Sequence, residues 1–357
     1  MPSEPLKDIL IDQIRRDGPI NLATYMQIAL SHPDHGYYST RDSIGAKGDF
    51  TTAPEISQLF GEMIGLWIID CWHQIGSPAT INLIEPGPGR GTLMADIVRT
   101  ITKASTLQPQ IHLIETSPRL TQIQQEKLDA QWHQDLSTVP EGPFILVANE
   151  FFDALPIHQF ELTEQGWAEV FIDASADGNL CRALISSDAP RPIVEPADFG
   201  TAKTGDIIET CPAAGKFMID ITQRLKRDGG VALFLDYGYG TPAFGDSLQA
   251  LYDGAYSDPF SHPGQADLTA HVNFAALKTI AEDGGLDGYG PLEQGKFLEQ
   301  LGLLVRADAL RQQAQAAQRA QIDLAVHRLT APDQMGSLFK VLAVSGSSAL
   351  HPAGFAP

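Results

Sequence analysis

Between Leu83 and Gly91 the chain reads Leu-Ile-Glu-Pro-Gly-Pro-Gly-Arg-Gly: an apolar run enters a glycine turn, and a helical stretch, 91–101, starts directly behind it. Glycines are needed where the backbone turns sharply and a ligand must approach with no Cβ in the way. The N–H groups at the helix start then favour an anionic group. Dinucleotide binders carry a third glycine where this chain has Thr92, so the spacing here is GxGxG with an acid two residues before Gly87. That form is typical of S-adenosylmethionine binders. A carboxylate approaches the loop of Gly87, Gly89 and Gly91, and Glu85 can receive the cationic amino group of the same moiety. Glu115 ends the next apolar run, where a carboxylate can accept both ribose hydroxyls. The competing account is a glycine-rich turn that binds nothing, and the strand, loop, helix, strand, acid order weighs against it.

The surrounding pattern is an alternation of short apolar runs and helical stretches. Strands are expected at 80–85, 111–115, 144–149 and 231–236, with helices at 91–101, 117–128 and 212–229. Such alternation implies a parallel sheet with helices on both faces, whose buried strands read as near-continuous apolar runs. Ahead of it, 4–17, a second helix begun by Asn21, and 56–75 read as helices, separated by a long loop at 35–55. The rhythm fails over 156–211, which reads as several short strands. Residues 253–273 read as loop, 307–328 as one long helix and 337–345 as a last strand. The expected organisation is therefore 1–76 as N-terminal helices and covering loop, 77–155 with 212–345 as the core, 156–211 as a β-rich insertion, and 346–357 as a disordered tail.

Net charge at pH 7 is −20, with no Lys/Arg-rich run, which disfavours nucleic acid as a partner. Cys71, Cys181 and Cys211 form no metal spacing, and an odd count argues against a disulfide framework, so a reducing cytoplasm fits. His32 and His35 lack acidic or cysteine partners at ligand spacing, so no metal is expected. The first residues read as neither a signal nor a transit peptide, and no run is long enough to span a membrane.

Six blocks, 48–62, 84–97, 149–156 (Asn-Glu-Phe-Phe-Asp-Ala-Leu-Pro), 235–240, 267–274 and 334–344, together resemble the MidA-like family. This family is the bacterial counterpart of a mitochondrial protein-arginine methyltransferase needed for assembly of respiratory complex I. The resemblance runs from the first helices to the last strand, with Asn273 standing where the family pattern has Asp. It implies a class I methyltransferase (Rossmann-like) fold, S-adenosylmethionine as donor and an arginine side chain of a protein partner, such as a complex I subunit, as acceptor. A non-catalytic assembly factor that keeps the fold, and a small-molecule methyltransferase, stay open beside it. An oxidoreductase is disfavoured by Thr92. A nucleic-acid methyltransferase is disfavoured by charge and by the missing Pro-Pro after Asn149.

A guanidinium stays protonated and its lone pairs are delocalised, so carboxylates must fix it and draw charge from the attacking nitrogen. Glu150 and Asp153, three apart, would share one side of a helical turn beyond the third strand. Phe151 and Phe152 would wall the pocket, with Asn149 spanning substrate and cofactor. The alternative is a turn-capping Asp153 with core phenylalanines. Asp49 and Glu55 could close over the cofactor or serve as a turn residue and a helix-start charge. Asp236 and Tyr237 end the fourth strand at the ligand edge. His271 could clear the proton released on methylation, although a lone histidine is more often a satisfied core or surface residue.

Overall fold

The computed structural model describes residues 5–40, 52–347 and 349–355. The chain divides into two compact units, one from 1–50, 152–217 and 241–276 and the other from 51–151, 218–240 and 277–357.

The larger unit is built on β1 (Asn82–Pro86), β2 (Gln110–Ile114), β3 (Gln131–His133), β4 (Phe144–Asn149), β5 (Gly230–Tyr239), β6 (Asp287–Glu293) and β7 (Phe339–Ser345). Their order across the sheet is β3-β2-β1-β4-β5-β7-β6. Strands β1 to β5 pair in parallel, so the order reverses between β1 and β4 and leaves a crevice at their carboxyl ends. The sheet is not parallel throughout: β7 runs antiparallel between β5 and β6. Burial on both faces makes a strand apolar whichever way it runs, so the sequence carries no sign of this reversal.

Alternate residues of each strand point to opposite faces. Ile145, Val147, Val231, Leu233, Val341 and Ala343 share one core with the helices Gln58–Gln74 and Thr92–Ala104. On the other face Arg224, from the helix ending at Asp228, lies 5.3 Å above the Phe144 ring. The first of these helices approaches the second closely through Gly61 and Gly65. A Cβ on Gly61 would stand 2.4 Å from Cβ of Asp96, and one on Gly65 2.9 Å from Cβ of Thr100. Larger residues at either position would push the helix carrying the glycine turn off its neighbour.

The smaller unit holds an antiparallel sheet of Ile20–Asn21, His158–Thr163, Gly166–Ala174, Leu180–Ser186 and Ile207–Thr210. The helices Pro5–Asp17 and Leu22–Ser31 bury Leu6, Leu10, Ile14, Tyr25 and Met26 in its core. Asn21 caps the second helix by accepting the Thr24 N–H at 2.9 Å.

Several expectations need correction. Residues 253–273 are not all loop: Asp253 and Gly254 both have positive φ and turn a hairpin between Gln249–Tyr252 and Ala255–Ser257, and Asp267–Thr269 pairs alongside. The long helix breaks into Leu303–Gln313 and Ala316–Thr330. A reciprocal cap between Gln315 and Gln318 starts the second without the help of glycine or proline. Described residues of the tail are packed: Leu350 is 1% exposed and the Phe355 ring lies 5.2 Å from that of Phe297.

Candidate functional site

Glu85 stands near the end of β1 and is only 3% exposed. Burial pushes its carboxyl up to about 8, against the pull of the Met94 backbone N–H. Its Oε2 has no hydrogen-bond partner among the described residues. The turn behind it holds Gly87, Gly89 and Gly91 at φ 59, 52 and 72, all left-handed, and Gly91 is the N-cap of the helix Thr92–Ala104. Gly87 also has to be bare: a Cβ there would sit 2.9 Å from the Phe151 ring.

The next strand, β2, delivers Glu115. Burial raises this carboxyl too, opposed by donors from Ser117, Gln124 and Thr116. Its Oε1 accepts the Ser117 N–H at 2.8 Å and its Oε2 the Gln124 amide at 3.1 Å. On the other flank, β4 delivers Asn149, whose amide donates to Glu150 Oε1 at 3.0 Å while its Oδ1 lacks a partner among the described residues. Glu150 Oε1 also accepts the Ala53 N–H at 3.0 Å. Glu55, on the same short helix as Ala53, accepts the Thr92 hydroxyl at 2.6 Å. These contacts tie the segment 52–56 to the start of the glycine-turn helix. Asp49 lies outside the described residues.

Asp236, on β5 just past its last parallel pair Leu235–Asn149, is fully buried, and its carboxylate accepts the Phe151 N–H at 3.1 Å and the Tyr237 N–H at 2.9 Å. That geometry fastens the chain after β4 to β5. The Tyr237 ring is buried 5.5 Å from Phe339.

The expected helical turn from Glu150 to Asp153 does not form. Glu150 has φ 50, which ends the strand in a left-handed bend, and no helix follows. The chain passes between the two units at 151–152, so Asp153 belongs to the smaller one. There its carbonyl accepts the Ala270 N–H at 2.9 Å, and its charge reaches Tyr38, whose hydroxyl donates to Asp267 at 3.1 Å. Phe152 is buried in that unit, edge-on to Phe217 at 5.8 Å. Phe151 lies beside the glycine turn. His271 is also in the smaller unit, its N–H held by Ser247 Oγ at 2.9 Å.

The adjacent carboxyl ends of β2, β1 and β4 thus present two buried oxygens in need of donors, a glycine turn open to close approach and a hydrogen-bonded carboxylate. These fit a ligand carrying a cationic amine, a carboxylate and a ribose: Glu85 Oε2 and Asn149 Oδ1 are costly to leave unpaired unless a ligand supplies the donors. The sequence reading missed Gln124, which joins Glu115 to the turn, and the backbone donor of Ala53. Neither carries a motif. Among the described residues no cluster of His, Cys, Asp or Glu is placed to hold a metal, and no helix is long and apolar enough to cross a membrane.

The family model described as "Putative S-adenosyl-L-methionine-dependent methyltransferase" matches residues 63–292. The chain is 36% identical over 374 residues to the human "Protein arginine methyltransferase NDUFAF7, mitochondrial", covering 96% of this chain and 84% of that protein. It is equally 36% identical over 365 residues to the Drosophila melanogaster homolog, covering 93% and 83%. A Burkholderia thailandensis crystal structure bound to S-adenosyl-homocysteine superposes with TM-score 0.83 at 26% identity, covering 98% of this chain and 94% of that one. A native structure of the same superfamily from that organism gives TM-score 0.81 at 27% identity, covering 99% and 93%.

Proposed function

This chain belongs to the MidA-like family of S-adenosyl-L-methionine-dependent methyltransferases, and from that premise we propose that it methylates an arginine side chain of a partner protein. The observation that carries the cofactor half of this reading is the pair of unpartnered buried oxygens, Glu85 Oε2 and Asn149 Oδ1, flanking a left-handed glycine turn. The arginine half rests on what the relatives are named and on the need of a guanidinium for carboxylates.

In this reading the N–H groups around Gly87, Gly89 and Gly91 take the donor's carboxylate, Glu85 its ammonium and Glu115 its ribose hydroxyls. When bound, S-adenosylmethionine supplies an electrophilic methyl carbon on a sulfonium. The protein's share is positioning and charge. Asn149 keeps its orphan oxygen toward the cofactor while its amide holds Glu150. Glu150 faces the guanidinium and withdraws positive charge from the attacking nitrogen. Asp236 fixes the backbone that carries Phe151, and Tyr237 and Glu55 stiffen the rim. The attacking nitrogen would gain the methyl carbon as that carbon's bond to sulfur breaks, and would give up one proton to solvent. The partner we favour is a respiratory complex I subunit, and the compartment the cytoplasm.

An arginine peptide and its lysine counterpart, each incubated with methyl-labelled donor, test the acceptor class. Label on the arginine peptide that falls with Glu150→Gln supports the reading, and full activity in that variant ends it. Label on neither peptide, with donor binding intact, would move the acceptor to a small molecule or the role to assembly. Mass spectrometry of complex I subunits with and without the protein identifies the target.

A further inference from the structure

Gln124 is fully buried in the last turn of the helix Pro118–Gln125. Every polar atom of its side chain is engaged. Nε2 donates to the Gly89 carbonyl at 2.7 Å and to Glu115 Oε2 at 3.1 Å, and Oε1 accepts the Trp132 indole N–H at 2.8 Å. The orientation of the amide follows from its partners. Turned over, its oxygen would face a carbonyl and a carboxylate, and its NH2 would face an indole N–H. A Cβ on Gly91 would meet Leu128 Cδ1 at 3.1 Å and Gln124 Cγ at 3.4 Å, so the glycine turn packs directly on this helix.

We propose that Gln124 is a positioning residue for donor binding, a clamp that holds the Glu115 carboxylate and the Gly89 carbonyl at one fixed spacing so that the sugar end and the methionine end of the donor are gripped together. The proposal rests on the reading of Glu115 and the glycine turn given above. Gln124 touches neither ligand nor reacting atoms; it acts through two groups that do. Without it, a half-buried carbonyl loses its side-chain donor, and a buried carboxylate keeps, among the described residues, the backbone donors of Ser117 and Thr116. Both groups lie on the donor side, so the loss falls on KM rather than kcat. Trp132 joins the device from β3, the strand beyond β2, by fixing which way the amide faces.

The test compares Gln124→Met, similar in length but without donors, with Trp132→Phe and Glu115→Gln. For Gln124→Met, Kd for S-adenosyl-homocysteine and KM for the methyl donor are expected to rise about ten- to hundredfold, the scale of stranding buried polar groups. Turnover at saturating donor should change far less. The acid limb of donor binding should also move to higher pH, because Glu115, already raised by burial, loses one of the donors that keep it ionised. A merely structural substitution would not move that limb. Trp132→Phe should act in the same direction with smaller size. Affinity within about twofold of the parent and an unmoved acid limb in Gln124→Met, while Glu115→Gln binds weakly, would overturn the clamp and leave the Glu115 reading standing. Unchanged binding in Glu115→Gln would overturn the reading itself, and the clamp with it. If Gln124→Met does not fold, Trp132→Phe decides: unchanged affinity and acid limb there count against the clamp.

Discussion

Asn149 and Glu150 are joined side chain to side chain at 3.0 Å while the backbone of Glu150 is held at φ 50. A non-glycine residue in the left-handed region costs about 1–2 kcal/mol and persists where its surroundings over-determine it. Here the Ala53 N–H, the Asn149 amide and the Leu235 carbonyl, which accepts the Glu150 N–H at 2.9 Å, do so. Glu150→Gly relieves the backbone and removes the carboxylate. We expect stability within about 1 kcal/mol of the parent by urea denaturation and methylation of an arginine peptide reduced about tenfold or more. A variant that keeps full activity would show that the strained carboxylate serves no catalytic purpose.

Donor binding should expel a proton. Glu85, pushed up to about 8 by burial, is mostly protonated at pH 7, and an ammonium brought beside it favours the ionised form. Titration calorimetry at pH 7 in buffers of different ionisation enthalpy should report release approaching one proton, absent in Glu85→Gln. Heats that do not depend on the buffer would mean that the carboxylate is already charged before the ligand arrives.

Gly87→Ala should damage the site twice, through a left-handed φ of 59 and through a Cβ only 2.9 Å from the Phe151 ring. The backbone part alone is about 1–2 kcal/mol. Trimming the ring should recover the steric part only, so Gly87→Ala combined with Phe151→Ala should bind S-adenosyl-homocysteine better than the two separate losses predict. Strict additivity would place the ring elsewhere in solution.

His112 predicts an acid-side loss of stability. It is fully buried between Asn82 Oδ1 at 3.1 Å and His133 at 3.0 Å, and burial together with the His133 and Arg224 charges lowers it to about 4. The unfolded chain takes up this proton below about 6.5, whereas the folded chain does not until about 4. Stability from this group is therefore complete above pH 6.5 and falls as pH drops towards 4, by on the order of 3 kcal/mol. Urea denaturation at pH 7 and pH 5 should show the decline, and His112→Gln should flatten it. Equal pH slopes in both proteins would clear His112 of the effect.

The parts of the site that lie within one strand and its turn were readable in advance. Leu83 to Gly91 and Phe144 to Asn149 carry their geometry in local patterns: an apolar run, glycines, an acid at a fixed offset. Glu115 could be placed because a strand end is a local event. What was not readable came from contacts between segments remote in sequence. Gln124 has a role only because Gly89 and Trp132 come beside it. The pairing of Glu150 with Asp153 assumed a helical turn, and a left-handed φ at Glu150 removed it; a glutamate gives no local warning of that conformation. The antiparallel course of β7 was equally silent, since a strand buried on both faces reads alike in either direction.

The smaller unit draws on three separate stretches of chain, the last of which closes only after Leu268, whose side chain shares a core with Leu6, Leu10 and Tyr25. On the ribosome the core of the first helices is therefore completed only when the strand Asp267–Thr269 emerges, which at roughly 5–20 residues per second takes on the order of tens of seconds. During that interval Ile157, Ile172 and Leu180 can cover part of their apolar faces, but Leu268 and Ala270 are still missing from the core. Newborn chains of this protein should thus be clients of whatever guards nascent polypeptides, and truncation before Leu268 should loosen the amino-terminal helices however intact their own sequence.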